Sequence, residues 1–266
     1  MIHQNAKFLT GALFCSYLLL PIAPQAAEEA QDNQSLDQAA NDPTASLMNV
    51  QLQNLYNGDY HNLDDESGNT FQIRSAVPFK TGNLKHIARV TLPIVTDSPS
   101  GENGLGDLVL FDLIAFDKSW GRWGAGAVTL LPTASDDKLG SGKWGVGPAL
   151  GIVARSSKLM WGVFNQNIFS FAGDSDREDV GVSTLQPIIN FSLPDKWSVG
   201  TSEMNVTYDW EKSGWSSLPL GIKANKLVQI GKIPTMFSCS YEYNFQDDYV
   251  VPEWTVNFTV KFLFPL

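Results

Sequence analysis

The sequence predicts an all-β fold, a transmembrane, antiparallel, up-and-down β-barrel of about twelve strands. Three observations carry that expectation. The chain opens on a secretory leader, long segments alternate apolar and polar residues, and tight and long connections alternate between those segments.

Residues 1–27 read as a cleavable signal peptide. Lys7 gives the positive start, Phe8 to Ile22 an apolar run, and Ala23, Ala26 and Ala27 the small residues of a cleavage site. The run is too short to make a good membrane-spanning helix, which counts against the alternative, an uncleaved anchor. Cys15 lies inside that run behind bulky Phe14, which does not suit lipidation. After cleavage Cys239 is alone, so no intramolecular disulfide forms, and no Cys/His zinc spacing exists.

Residues 28–46 hold almost no large apolar side chain. Such a stretch cannot offset its ordering entropy by burial, so a flexible periplasmic tail is expected, with a short amphipathic helix as the alternative. The barrel itself is expected over 47–266.

Its clearest strand is the last. Trp254, Val256, Phe258, Val260, Phe262 and Phe264 alternate with Thr255, Asn257, Thr259, Lys261 and Leu263, a period of two over the length a tilted strand needs to cross a bilayer. Residues 237–245 repeat the pattern, with Phe237, Cys239, Tyr241, Tyr243 and Phe245 on one face. A soluble sandwich strand also alternates, but many long ones with aromatic ends favour the barrel. Strands are expected near 47–56, 69–79, 84–95, 105–116, 121–131, 143–154, 158–171, 180–193, 197–209, 216–230, 233–245 and 253–264. Short connections then alternate with long ones, the pattern of periplasmic turns and extracellular loops. The even count leaves both ends of the barrel in the periplasm. In the 143–154 strand, Gly145, Gly147 and Gly151 share one face opposite Trp144, Val146, Leu150 and Ile152, as a tightly curved inner wall requires.

Mean hydropathy of −0.10 does not argue against a membrane protein, because lipid-facing and lumen-facing residues of a barrel average out. The net charge of −10 argues against nucleic acid as a partner. GVGPALG (145–151) has the wrong spacing for a dinucleotide loop, and LGSGKW (139–144) lacks the first glycine and the final Ser or Thr of a phosphate loop.

Ionisable residues inside strands are the candidate functional set. Arg74, Arg89, Glu203, Asp209, Lys223, Glu242 and Lys261 fall opposite the apolar faces and are expected to line the lumen. They either sort solutes by charge or pair with one another and close a narrow barrel. Asp107 and Asp112 differ in parity, so a bulge or strand end is expected between them. Loop carboxylates, with Asp136, Asp137, Asp174 and Asp176 foremost, are solvated surface or sites where a divalent cation bridges to lipopolysaccharide. His61 and His86 are expected at opposite membrane faces, with no legible nucleophile beside either.

The ordered strings GLGDL (104–108), LPTASDDKLGSGKWGVGPALG (131–151), FSFAGD (169–174) with Arg177, LQP (185–187), TYDW (207–210), PLGIKANKLVQIGKIP (219–234) and LFP (263–265) carry a family resemblance. From about Ser46 onward the chain resembles the outer-membrane transporters catalogued under the MetA pathway of phenol degradation. The resemblance implies an outer-membrane barrel, in some members associated with aromatic catabolism, and brings no catalytic or ligand residues with it.

The functional expectation is a channel in the cell outer membrane of a Gram-negative organism, passing small solutes, hydrophobic or aromatic ones among them, with no enzymatic activity and no cofactor. The alternatives are a structural or adhesion barrel with a plugged lumen and an outer-membrane hydrolase. Expected partners are outer-membrane lipid and lipopolysaccharide, the solutes, and the barrel-assembly machinery through the C-terminal strand.

Overall fold

The alternation of side chains resolves into a single closed sheet. The computed structural model describes residues 34–264, so the expected signal peptide lies outside the described residues. The strands are β1 (Met48–Tyr60), β2 (Gly68–Thr81), β3 (Leu84–Asp97), β4 (Gly104–Leu105), β5 (Leu108–Lys118), β6 (Gly121–Leu131), β7 (Lys143–Arg155), β8 (Leu159–Gly173), β9 (Gly181–Ser192), β10 (Trp197–Thr201), β11 (Val206–Asp209), β12 (Gly214–Ser217), β13 (Pro219–Ile230), β14 (Ile233–Asn244) and β15 (Pro252–Phe264). All pairings are antiparallel, and the first and last strands meet along a register that starts at Met48↔Phe264. Three segments are parts of longer walls: β4 leads into β5, β10 into β11, and β12 into β13. The barrel therefore has twelve walls, as the sequence predicts.

The connections sort into two ends. At the short-turn end, Gly82 and Gly231 take φ of 59° and 58° in two-residue turns, a conformation other residues enter only with strain. The longer loops gather at the opposite end, the one expected to be extracellular.

Burial follows the two-residue period. Along β7, Lys143, Gly145, Ala149, Gly151 and Val153 point inward and are buried, while Trp144, Val146, Leu150 and Ile152 are exposed. The inner face is small because the wall coils tightly: a Cβ at Gly147 would lie 2.0 Å from the carbonyl oxygen of Asn167 on β8. The outer face is apolar in a continuous band, with Ile222 74%, Phe258 57% and Trp161 56% exposed. Water would not tolerate so much apolar surface, whereas lipid matches it. Aromatic rings border the band. Trp120, Trp161, Trp197 and the stacked pair Phe116–Trp123 lie towards the short-turn end; Tyr56, Trp254, Tyr208, Trp210 and Trp215 lie towards the loops.

The N-terminal stretch differs from the flexible tail expected first and holds a short helix, the alternative; residues 28–33 lie outside the described residues. Residues 34–46 do not hang free. A short helix, α1 (Leu36–Asn41), and the turn after it sit in the short-turn mouth of the barrel, with Gln38, Ala40, Asp42, Thr44 and Ala45 buried. The reason is polar. Gln38 donates to Ser156 O (2.9 Å), Ser192 Oγ donates to Asp37 (2.6 Å), Lys261 Nζ donates to Ala40 O (2.6 Å) and Arg122 donates to Asp42 (3.3 Å). Ala40, Ala45 and Leu47 add an apolar contact with Leu227, Met236 and Leu263. A segment poor in apolar residues is ordered here by hydrogen bonds to the inside of its own barrel.

The barrel lumen as candidate functional site

Paired residues on adjacent strands share a face, so the register places the lumenal side chains in tilted rows. One row runs Thr91, Arg74, Gln51, Lys261, Met236, and the next runs Phe111, Arg89, Ala76, Asn49, Leu263. Lys223 and Glu242 come from β13 and β14. Their neighbours across the ladder are small, Gly200 opposite Lys223 and Gly221 opposite Glu242, which leaves room for both long side chains to lie over the wall.

Glu203 arrives differently. The ninth wall is interrupted between β10 and β11, where residues 202–205 carry no strand pairing. Opposite the gap stands Pro187, which has no amide to donate. Thr201 Oγ1 substitutes locally by donating to Pro187 O (3.1 Å) and accepting from Ile189 N–H (3.1 Å). An unpaired stretch is free to turn inward, and Glu203 meets Arg74 at 2.8 Å across the lumen from its own wall. Glu203 also lies within electrostatic reach of Lys223 and Lys261, and Arg89 within reach of Glu203.

The lumen has two unlike halves. The side formed by β2, β3 and β13–β15 carries the charges. The side formed by β5–β8 is filled with Phe111, Leu113, Val128, Ala149, Phe164 and Ile168. Arg89 bridges them: its guanidinium carbon lies 4.3 Å from the centre of the Phe111 ring and 5.6 Å from that of Phe164. Between the halves a cavity of about 200 Å³ opens onto Arg74, Arg89, Glu203, Lys223 and Lys261, with the N-terminal segment as its floor.

Five of the seven strand charges singled out from sequence, Arg74, Arg89, Glu203, Lys223 and Lys261, thus line one space, and Glu242 lies within electrostatic reach of Glu203 and Lys223. Asp209 does not join them. It ends β11 at the loop rim, accepts from Lys212 N (3.0 Å) and lies 3.9 Å from Lys212 Nζ. Its parity is right, but its place at the strand end, by the loop rim, keeps it from the cluster. Asp107 falls between β4 and β5, where it accepts from Ser141 N–H (2.6 Å) and Ser141 Oγ (2.7 Å), so the expected strand end does separate it from Asp112. Asp112 faces outward and meets His86 Nδ1 at 2.8 Å, a pair the alternation did not suggest.

Among the described residues no three acidic, His or Cys side chains converge on a metal-sized point. Asp136 accepts from Lys138 N–H (2.9 Å), Asp137 lies 3.8 Å from Arg177, and Asp174 accepts from Asp176 N–H (2.9 Å). Asp136 and Asp174 serve their own turns, Asp137 faces the neighbouring loop, and Arg177 ties that loop to Gly140 O. The histidines stand at opposite ends, as expected. His61 Nε2 contacts Asn244 O (2.8 Å), while His86 stacks on Phe79 with ring centres 4.7 Å apart.

No protein-family model matches the chain, and no curated protein matches it by sequence. Solved structures do match. An outer membrane channel from Pseudomonas putida F1 superposes with a TM-score of 0.57 over 90% of this chain and 100% of that one, at 13% identity. Outer membrane phospholipase A from Escherichia coli matches at TM-score 0.46 and 11% identity, over 82% of this chain and 90% of that one. The translocator domain of the autotransporter NalP from Neisseria meningitidis matches at 0.45 and 15%, over 85% and 91%. The likeness to the Pseudomonas channel is one of fold.

Proposed function

We propose that this protein is a channel in the outer membrane of a Gram-negative cell, through which small solutes with an apolar or aromatic part pass without energy input. One observation carries the reading: a transmembrane barrel encloses a cavity with ionic groups on one side and aromatic and aliphatic side chains on the other. A purely structural barrel has no need of a polar space at its centre, and a general pore has no need of an apolar wall. The sequence resemblance to transporters linked with aromatic catabolism, and the fold shared with an outer membrane channel, support the same reading.

A hydrolytic reading needs a nucleophile held by a histidine. The hydrogen-bond partner of His86 is Asp112, and that of His61 is a backbone carbonyl. The location reading draws support from the apolar outer band and its aromatic borders.

Liposome swelling tests the passage reading. Vesicles carrying the refolded protein are expected to admit phenylalanine, an aromatic zwitterion that crosses lipid poorly by itself, faster than a sugar of similar mass. Equal rates with empty vesicles would refute passage and turn attention to the plugged, structural alternative.

A further inference from the structure

The chain carries a net charge of −10, yet its lumen is positive. Arg74, Arg89, Lys223 and Lys261 line the cavity. The carboxylates within reach are Glu203 and Glu242, because Asp42 in the floor is occupied by Arg122, Thr44 and Gln34. Four cations facing two carboxylates leave an excess of two positive charges.

The cations are not equally engaged. Arg74 is held by Glu203 at 2.8 Å, and Lys261 donates to Ala40 O at 2.6 Å. Among the described residues, Arg89 and Lys223 have no hydrogen-bond acceptor and no carboxylate within ion-pair distance. Arg89 lies over Phe111, a contact that leaves its N–H donors unused. Both open onto the same cavity, whose lining includes the apolar Ile87, Val109, Phe111 and Ile188 beside the polar Thr91, Gln166 and Gln186.

We propose that Arg89 and Lys223 form an anion-binding site in the lumen, and that its ligand is a small organic carboxylate whose apolar body lies against Phe111, Val109 and Ile188. Both residues are half-buried and face the cavity with their donors uncommitted, and a carboxylate supplies charge-matched acceptors, with the planar fork of Arg89 suited to two of them. A chloride ion would satisfy the charge but leave the apolar wall uncovered. This names a substrate class for the passage proposed above and rests on that reading.

The test is fluorine NMR of the purified full-length protein in maltoside micelles, with three probes of one shape: 4-fluorobenzoate, 4-fluorobenzyl alcohol and 4-fluorobenzylammonium. The benzoate is expected to bind saturably, the alcohol about tenfold more weakly, and the ammonium more weakly still. Arg89→Gln and Lys223→Gln should each weaken the benzoate about tenfold and leave the alcohol unchanged. Retention of the folded, heat-resistant gel band qualifies each variant. If Arg89→Gln does not fold, Lys223→Gln and the three-probe ranking in the wild type decide. Equal binding of all three probes, no binding of benzoate, or folded variants that bind benzoate like the wild type would overturn the proposal. A protein that binds benzoate but passes no solute overturns passage and leaves the anion site standing. One that passes solutes but ranks the probes alike overturns the anion site alone.

Discussion

Replacing Asp42 by alanine should release the N-terminal segment from the barrel mouth. The Asp42 side chain is fully shielded and accepts from Thr44 N–H (2.8 Å), Thr44 Oγ1 (2.6 Å), Gln34 Nε2 (3.0 Å) and Arg122 (3.3 Å). Breaking a buried ion pair costs about 3–5 kcal/mol. Arg122 keeps Asp117 at 2.6 Å, so the lower end applies. About 3 kcal/mol shifts the seated-to-unseated ratio roughly a hundredfold. Hydrogen exchange reads this directly, because the amides of Ala39, Asp42, Ala45 and Leu47 are bonded within the segment. Their exchange should accelerate by about two orders of magnitude while barrel-strand amides stay protected. Asp42→Asn, which keeps an acceptor and loses the charge, should fall between. Segment exchange within about threefold of wild type, in a folded barrel, would refute the claim that this pair seats the segment.

Other expectations follow from the same geometry. Leu150→Arg places a charge at the middle of the lipid-facing side of β7 and should cost about 2–4 kcal/mol in equilibrium folding into vesicles, against no comparable loss for Leu150→Val. Gly147→Ala forces a methyl group to within 2.0 Å of a backbone oxygen unless the wall shifts, so the temperature at which the folded gel band disappears should drop, with about 1–3 kcal/mol of stability lost. The Asp179 carboxyl, in the loop after β8, is held below its ordinary value of 3.8 by the hydrogen bond from Lys143 and then by that from Ser170. A depressed carboxyl contributes order above its unfolded value and loses it as pH falls through the folded one, so loop protection from an acid-stable protease should fade below pH ~4 in the wild type, and that acid dependence should be absent in Asp179→Asn. In an open channel, Lys223→Gln should lower the anion-to-cation permeability ratio and Glu242→Gln raise it, by about twofold each in reversal-potential measurements.

The walls of the barrel were legible because alternation is a local signal that lipid and lumen both enforce. The final strand shows this: from Trp254 to Phe264 the expected segment and the observed one agree, and Lys261 faces inward as its parity required. Lumenal placement of Arg74, Arg89, Lys223, Glu242 and Lys261 follows from the same rule. What the rule could not give is which charges meet across the barrel. Arg74 and Glu203 lie 129 residues apart, and their contact depends on an interrupted wall that no period reveals. Pro187 was the available signal, since a proline inside a strand marks a place where the ladder can open. Asp209 shows the opposite failure, where correct parity at a strand end carries no lumenal meaning. The N-terminal segment was misjudged because composition measures what a stretch can bury by itself, whereas Gln38, Asp37 and Asp42 are ordered by groups more than 75 positions away in sequence. The outward pair His86–Asp112 was invisible for the same reason, its members coming from neighbouring strands 26 residues apart.

The central claim, a water-accessible path through this barrel, is tested most directly by single-channel recording of the refolded protein in planar bilayers, with a salt gradient to read selectivity. The account predicts discrete conductance steps that favour anions and grow larger in Asp42→Ala. A protein that is folded and inserted yet silent across the voltage range, in wild type and Asp42→Ala alike, would contradict it.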